Sequence, residues 1–182
     1  MKKKRGNRHI ALATAIALCI AFGIYLASRG GDDSSAKLPA VGDVGTAALA
    51  DGAAKAASTY SDPSGFSFEV PTGYEPRAVE DGSGKMVLVE KQGEPGRGFQ
   101  VFVSYYDEPA SGFTAARIKK DIPDIVMKGV KEISIAGGKG VSFDSDSGRE
   151  IWFVAGESLY QISAAPSEAS HAETAFETFK IE

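Results

Sequence analysis

The chain has 182 residues, of which 43% are hydrophobic and 24% charged, a balance typical of an ordinary globular protein with room for one folded domain. Five basic residues lie among the first eight positions, whereas the part after Ala27 holds the other 15 of the 20 basic residues and all 24 acidic ones, a formal charge of −9 (15 − 24). Such an acidic domain argues against nucleic acid as a partner, because nucleic acids bind clustered Lys and Arg. The single cysteine, Cys19, excludes an intrachain disulfide.

An uncharged apolar run of 18 residues extends from Ile10 to Ala27. As a helix it would be about 27 Å long at ~1.5 Å per residue, which nearly matches the hydrocarbon core of a bilayer. Its length and flanks favour an uncleaved signal anchor over residues 10–28 rather than a cleaved secretory signal, whose apolar region is usually about 7–15 residues long. The alternative, a protein secreted after signal cleavage, stays open.

The basic residues in front of this run determine the expected orientation. Residues 1–9 should form a cytoplasmic tail, because cytoplasmic flanks carry the excess of Lys and Arg. We therefore expect a single-pass protein of the cytoplasmic membrane, in contact with the lipid bilayer through residues 10–28, whose carboxyl-terminal domain is extracytoplasmic.

Residues 29–58 are rich in Gly, Ala, Ser and Asp and contain no aromatic residue. Such a segment buries too little apolar surface to offset the entropy of ordering it, and we predict a flexible linker. The remaining aromatic residues all lie between Tyr60 and Phe179. We therefore place the folded domain at residues 59–182.

Strand-like patterns recur through this domain. Period-two alternation or runs of β-branched and aromatic residues predict strands in 66–70, 85–90, 98–106, 131–135, 140–143 and the two halves of 150–164. The last segment is hinged at Ala155 to Ser158 and predicts a central hairpin. Segment 98–106 is apolar on both faces, which places it inside a sheet that is covered on each side.

Two helices are predicted between and after these strands. Apolar residues at helical spacing predict a helix over 114–128, which Pro123 must kink or divide because it lacks the backbone donor. Ser170 and Glu173 match a capping box that would open a second helix. That helix would place on one face Ala172, Ala175, Phe176 and Phe179.

The resulting order is strand, strand, strand, helix, hairpin, hairpin, helix. Together with the sequence at residues 65–71, the run 159–163 and the terminal 176–181, this order resembles the PsbP-like superfamily. That family includes an extrinsic photosystem II subunit, a Ran-binding nuclear transport factor and bacterial envelope proteins of unknown role. Over roughly residues 60–181, the resemblance implies an α+β fold: an antiparallel sheet of about six to seven strands with helices packed on it, an α/β/α sandwich. It implies neither an activity nor a cofactor.

One loop contains a candidate metal site. Asp144, Asp146 and Glu150 supply the alternating carboxylates that calcium favours, since hard cations bind several oxygens around a tight turn. The loop lacks the third loop acid and the late bidentate glutamate of a helix-loop-helix site. A hairpin turn built of turn-forming residues explains the same sequence, and this interpretation is preferred.

Catalytic chemistry has little basis in the sequence. His171 is the only histidine after the apolar run, so one chain offers neither a Ser-His-acid relay nor a site of several histidines. We therefore expect a non-catalytic module that binds a protein partner or supports an envelope complex. The alternative hypothesis is a sensor domain that binds a small ligand or calcium.

Overall fold

The computed structural model describes residues 58–81, 84–135 and 137–182. Within these residues the chain forms ten strands and two α-helices. The strands are β1 Ser58–Asp62, β2 Phe66–Val70, β3 Tyr74–Asp81, β4 Gly84–Lys91, β5 Gly98–Tyr105, β6 Lys128–Ile135, β7 Gly138–Asp144, β8 Arg149–Ala155, β9 Ser158–Ala164 and β10 Lys180–Ile181. The helices are α1 Ala115–Asp121 and α2 Ala169–Glu177, and short 3-10 turns form at Ala110–Gly112 and Pro166–Glu168.

The strands form two sheets. Seven strands make the larger sheet in the order β3-β4-β5-β9-β8-β7-β6, and three make the smaller one in the order β1-β2-β10. Every described pairing is antiparallel. The fold is therefore α+β with a mainly antiparallel sheet, as the sequence predicted. The larger sheet has seven strands, within the expected six to seven, and the smaller three-stranded sheet was not expected.

The predicted central hairpin is confirmed. Strands β8 and β9 pair from Arg149 with Ala164 to Ala155 with Ser158, and they occupy the middle of the seven-stranded sheet. A two-residue turn joins them, in which Gly156 has a φ of 59°, a conformation that glycine adopts without a steric penalty. Strand β5 lies beside β9 with β4 on its other side, as its apolar faces predicted.

The two faces of the larger sheet have separate cores. Alternate residues such as Ile151 and Phe153 pack with the aromatic residues of β2 and with Ala172 and Ala175 of α2. The intervening residues, such as Trp152 and Val154, pack with Ile118 of α1, together with Phe113, Val141, Phe143 and Leu159. Because successive strand side chains point to opposite faces, the two helices lie on opposite sides of the sheet.

Both helices differ from their predicted bounds. Helix α1 ends at Asp121, two residues before Pro123, so the proline ends the helix rather than kinking a longer one. The predicted capping box is wrong: α2 begins at Ala169, Ser170 lies inside it, and Glu168 is the N-cap residue without a side-chain cap bond. The 3-10 turn that starts at Pro166 leads directly into α2, so the helix begins closer to the amino terminus than predicted.

Three strands have no counterpart in the sequence prediction. Strand β3 contains Pro76 and several charges, β10 has only two residues, and β1 overlaps turn-forming residues. Strand β1 begins at Ser58, next to the expected domain boundary. In the part of the chain that the structure describes, no helix is long and apolar enough to cross a bilayer. The predicted anchor (10–28) lies outside the described residues, as does the linker up to residue 57.

Candidate functional site

The three carboxylates of the predicted calcium loop have different neighbours in the structure. Asp144 accepts a hydrogen bond from Arg149 at 3.2 Å, and the exposed Asp146 lies 3.6 Å from the Lys128 ammonium. Glu150 is buried. The loop itself closes as a hairpin turn, in which the Ser145 backbone N–H donates to the carbonyl of Gly148 at 2.8 Å.

The three carboxylates of the loop are therefore each held by different donors. Calcium requires several oxygens that converge on one point, whereas these carboxylates are engaged with separate donors. Within residues 58–81, 84–135 and 137–182, no group of three or more His, Cys, Asp and Glu side chains is arranged to hold a metal ion.

Glu150 belongs to a buried polar cluster on the central hairpin. One of its oxygens accepts hydrogen bonds from Trp152 Nε1 at 2.9 Å and from Ser163 Oγ at 2.6 Å, and the other accepts from Ser145 Oγ at 3.3 Å. Burial raises the pKa of Glu150, and the three hydrogen bonds offset part of that rise. The cluster joins β8 to β9 and connects both to the loop after β7.

Two glutamines extend this cluster across the same face of the sheet. Gln161 lies opposite Trp152 in β8, and Gln100 lies opposite Ser163 in β9. Both glutamines are buried, and among the described residues neither amide atom of Gln161 finds a hydrogen-bond partner, nor does Oε1 of Gln100. Buried amides without partners cost free energy, so a water or a small polar molecule at this face would stabilise them.

A second buried cluster surrounds Glu168, just before α2. Its carboxylate accepts hydrogen bonds from the Tyr74 hydroxyl and from Arg97 Nε, the latter at 2.8 Å, and its side chain is 1% exposed. Nδ1 of His171 lies 3.1 Å from the Tyr74 hydroxyl and 3.3 Å from Glu168 Oε2. Burial opposes the ionisation of Glu168, but the hydrogen bonds from Tyr74 and Arg97 outweigh it and lower the pKa of this carboxyl.

The Glu168 cluster attaches α2 to the larger sheet. Tyr74 begins β3 and Arg97 precedes β5, so one carboxylate connects the end of the 3-10 turn to two strands. No local sequence signal reveals these contacts, because Tyr74 and Glu168 are 94 residues apart. His171 therefore lies at the rim of a buried network.

A third cluster joins the two sheets. Asp62, at the end of β1, accepts hydrogen bonds from the Tyr60 hydroxyl at 2.7 Å, the Ser64 backbone N–H at 2.9 Å and the Lys85 ammonium at 2.8 Å. Lys85 belongs to β4 of the larger sheet and also lies 3.2 Å from Glu80. Burial disfavours the Asp62 carboxylate, but the hydrogen bonds from Lys85, Ser64 and Tyr60 prevail and lower its pKa to about 2.

Two basic residues of α1 are engaged by groups close to them in the chain. The Arg117 guanidinium binds Glu108 at 2.6 Å and Asp121 at 2.5 Å, and Lys119 donates to the carbonyl of Ile125. Arg117 is thus neutralised by two acids within its own region. Tyr105, the last residue of β5, is 66% exposed, whereas Trp152 is buried.

Comparison of the chain with protein-family models and with curated proteins gives no match.

Proposed function

We propose that this chain is a membrane-anchored, extracytoplasmic module that binds a protein partner and catalyses no reaction. One observation carries the proposal: Asp62, Glu150 and Glu168, three buried carboxyl groups, are each held by neighbouring donors that belong to the fold itself. These groups connect strands, sheets and a helix. A general acid or base instead needs a position next to a substrate proton.

The sequence supports the proposed location. The apolar run after a basic tail is long enough to span a bilayer, and the basic residues before it favour a cytoplasmic amino terminus. The folded part, with its formal charge of −9, would then lie on the outer side. Protease added to sealed cells should digest the folded domain, and protection of that domain would contradict this orientation.

The finer fold assignment is also a proposal. An antiparallel sheet with helices on opposite faces supports the PsbP-like α/β/α sandwich, and the buried Phe66 and Phe68 of β2 lie in the segment that carries the resemblance. The smaller sheet packs beside α2 on one face. The fold alone implies no activity, so partner binding rests on the site observations.

Partner binding is tested in intact cells. The tagged full chain and a version that retains only residues 1–57 are cross-linked in cells that natively express the protein, purified under denaturing conditions and identified by mass spectrometry. We expect at least one protein that only the full chain retrieves in stoichiometric amount. If both versions retrieve the same proteins, the folded domain has no partner of its own and the proposal fails.

A second candidate function is the binding of calcium or a small polar molecule beside the central hairpin. Among the described residues, the unpartnered amide oxygens of Gln100 and Gln161, on the same face of the sheet as Glu150, favour it. Calorimetric titration of the full chain with calcium chloride, compared with the Gln161→Leu variant, tests the calcium form. Heat that is lost in the variant supports this function, and no heat from the native chain removes calcium as the ligand.

A further inference from the structure

Strand β6 forms one edge of the seven-stranded sheet within the described residues. An edge strand presents backbone N–H and C=O groups that another extended chain can pair with. Six of its eight residues are exposed, from Lys128 to Glu132 and Ser134, and Val130 is 42% exposed. The strand contains no proline.

The other long edge is protected. Strand β3 contains Pro76, which cannot donate a ladder hydrogen bond, and three acidic residues. In the smaller sheet, the edge strands have five and two residues. Among the described edges, β6 is therefore the one that combines length, exposure and an uninterrupted supply of backbone donors.

The register identifies which backbone groups of β6 face outward. Ile135 pairs with Gly138 across a two-residue loop, so these two residues exchange backbone hydrogen bonds. Because hydrogen-bonded pairs alternate along an antiparallel ladder, Ile133 also bonds to β7, whereas the N–H and C=O groups of Glu132 and Ser134 point away from it.

The first half of β6 is less suited to pairing. Gly129 has a φ of 60°, and the register with β7 shifts between Lys128 and Lys131. Such a bulge disrupts the ladder locally. The regular part therefore runs from Lys131 to Ile135, five residues that pair continuously with β7.

The side chains along this regular part define the chemistry of a partner. On one face lie Lys131, Ile133 and Ile135. The two isoleucines are half-buried and pack against the core that contains Ile151 and Phe153. On the other face lie Glu132 and Ser134, and Lys139 of β7 is directly opposite Ser134. In the part of the chain that the structure describes, neither Lys131 nor Lys139 forms an ion pair.

The regular part of β6 and the β7 residues opposite it carry a net positive charge, unlike the domain as a whole. Residues 131–135 and 138–142 contain two basic residues and one acidic residue, a formal charge of +1 (2 − 1), whereas residues 28–182 as a whole carry −9. A partner strand with acidic side chains would be attracted to this edge and repelled by the remaining surface.

We propose that β6 binds an extended acidic segment of a partner protein, which adds an eighth antiparallel strand to the sheet. This inference rests on the proposed partner-binding function and names its site. The partner strand exchanges backbone hydrogen bonds with Glu132 and Ser134, places two apolar side chains beside Ile133 and Ile135, and places an acidic side chain opposite Lys131. A second acidic side chain lies opposite Ser134, within reach of Lys139 over the small serine.

The probe is a fluorescent peptide that contains Thr-Val-Glu-Val-Thr-Glu-Thr. In the antiparallel orientation its five central residues, Val-Glu-Val-Thr-Glu, lie opposite the β6 residues from Ile135 back to Lys131. A matched peptide has lysine in place of both glutamates. Binding of each peptide to the full chain in detergent micelles is measured by fluorescence anisotropy at low salt. We expect the acidic peptide to bind at least ~10-fold more tightly than the basic one.

Three variants locate the binding on β6. Ser134→Pro removes an outward backbone N–H while the hydrogen bonds to β7 remain. It should weaken binding of the acidic peptide about tenfold, because one intermolecular hydrogen bond is lost and the adjacent one is misaligned. Ser134→Thr keeps the N–H and should bind within about twofold of the native chain. Lys131→Glu should reverse the preference between the two peptides.

Hydrogen exchange separates the possible occupants. The backbone amides of Glu132 and Ser134 should exchange rapidly in the free chain and become protected when the acidic peptide binds. Protection that instead grows with protein concentration, without peptide, would mean that a second copy of the chain pairs at this edge, and would overturn the acidic-partner assignment.

The remaining outcomes are also decisive. Equal binding of both peptides, or unchanged binding in the Ser134→Pro variant, would overturn the assignment to β6. If the cross-linking experiment still retrieves a partner in that case, the proposed function stands and only its site is wrong. If it retrieves none, both fail.

Discussion

Replacing Asp62 by asparagine tests the connection between the two sheets. The Asp62 side chain is 1% exposed and holds the Lys85 ammonium of β4 at 2.8 Å, together with donors from Tyr60 and Ser64. Asparagine has nearly the same size but no charge. Asp62→Asn therefore removes the ion pair with Lys85 and keeps the shape of the Asp62–Gly65 turn.

The expected magnitude follows from the pKa of this carboxyl. Burial opposes ionisation, but hydrogen bonds from Lys85, Ser64 and Tyr60 lower the pKa from 3.8 to about 2. At ~1.36 kcal/mol per pKa unit, the ionised form contributes about 2.5 kcal/mol to the free energy of unfolding. Because the pKa is lower in the folded state, this contribution is complete above about pH 5 and is lost as the pH falls from about 4 toward 2.

The assay is urea-induced unfolding of the full chain in a mild detergent, followed by tryptophan fluorescence at several values of pH between 7 and 2. Asp62→Asn should lower the free energy of unfolding by about 2–3 kcal/mol at pH 7, and the difference from the native chain should shrink as the pH approaches 2. Asp107→Asn, at an exposed position, is the matched control for the change in net charge.

The result that would refute this reasoning is a constant difference. If the native chain and Asp62→Asn lose stability in parallel from pH 5 to pH 2, ionised Asp62 does not stabilise the contact between the two sheets. A loss at pH 7 as small as that of Asp107→Asn would lead to the same conclusion.

Three further substitutions test the remaining contacts by the same unfolding measurement. Glu168→Gln should destabilise the fold by about 2 kcal/mol. Most of this loss comes from the Tyr74 hydroxyl, which loses a charged acceptor, because water screens the exposed part of Arg97 and keeps its contribution small. An unchanged unfolding midpoint would mean that the cluster does not anchor α2. Ile118→Ala should cost about 2–4 kcal/mol, since it opens a cavity under α1, and a cost below about 1 kcal/mol would place α1 outside the core. Thr114→Ala should cost about 1 kcal/mol through the lost N-cap bond to the Arg117 N–H, whereas Thr114→Ser should restore most of it.

The local structure was predictable where a single element carries its own signal. The alternation of Phe66, Phe68 and Val70 identified β2, and the run 150–164 identified the central hairpin because its two halves and its glycine turn lie within one short segment. Pro123 indicated an interruption of the helix predicted over 114–128, and α1 ends at Asp121, two residues before it. These patterns depend on neighbours in the sequence and on the two-residue period of a strand.

Prediction failed where a contact between distant segments determined the structure. The start of α2 was missed because the N-cap residue, Glu168, accepts hydrogen bonds from Tyr74 and Arg97 and makes no side-chain bond to the helix. Strand β3 was missed because its charges and Pro76 are atypical of a strand, yet it pairs with β4 along eight residues. Edge position tolerates such residues, and edge position is a property of the whole sheet.

The sequence by itself determined the strand faces, the central hairpin and the segregation of basic charge before the apolar run, because periodicity and charge are local. Only the tertiary structure decided what the acidic residues do. Asp62 reaches Lys85 across 23 residues, Tyr74 reaches Glu168 across 94, and Glu150 turns inward to Trp152 and Ser163. Such pairings depend on register and on which sheet lies over which, and the spacing of residues along a chain does not encode either.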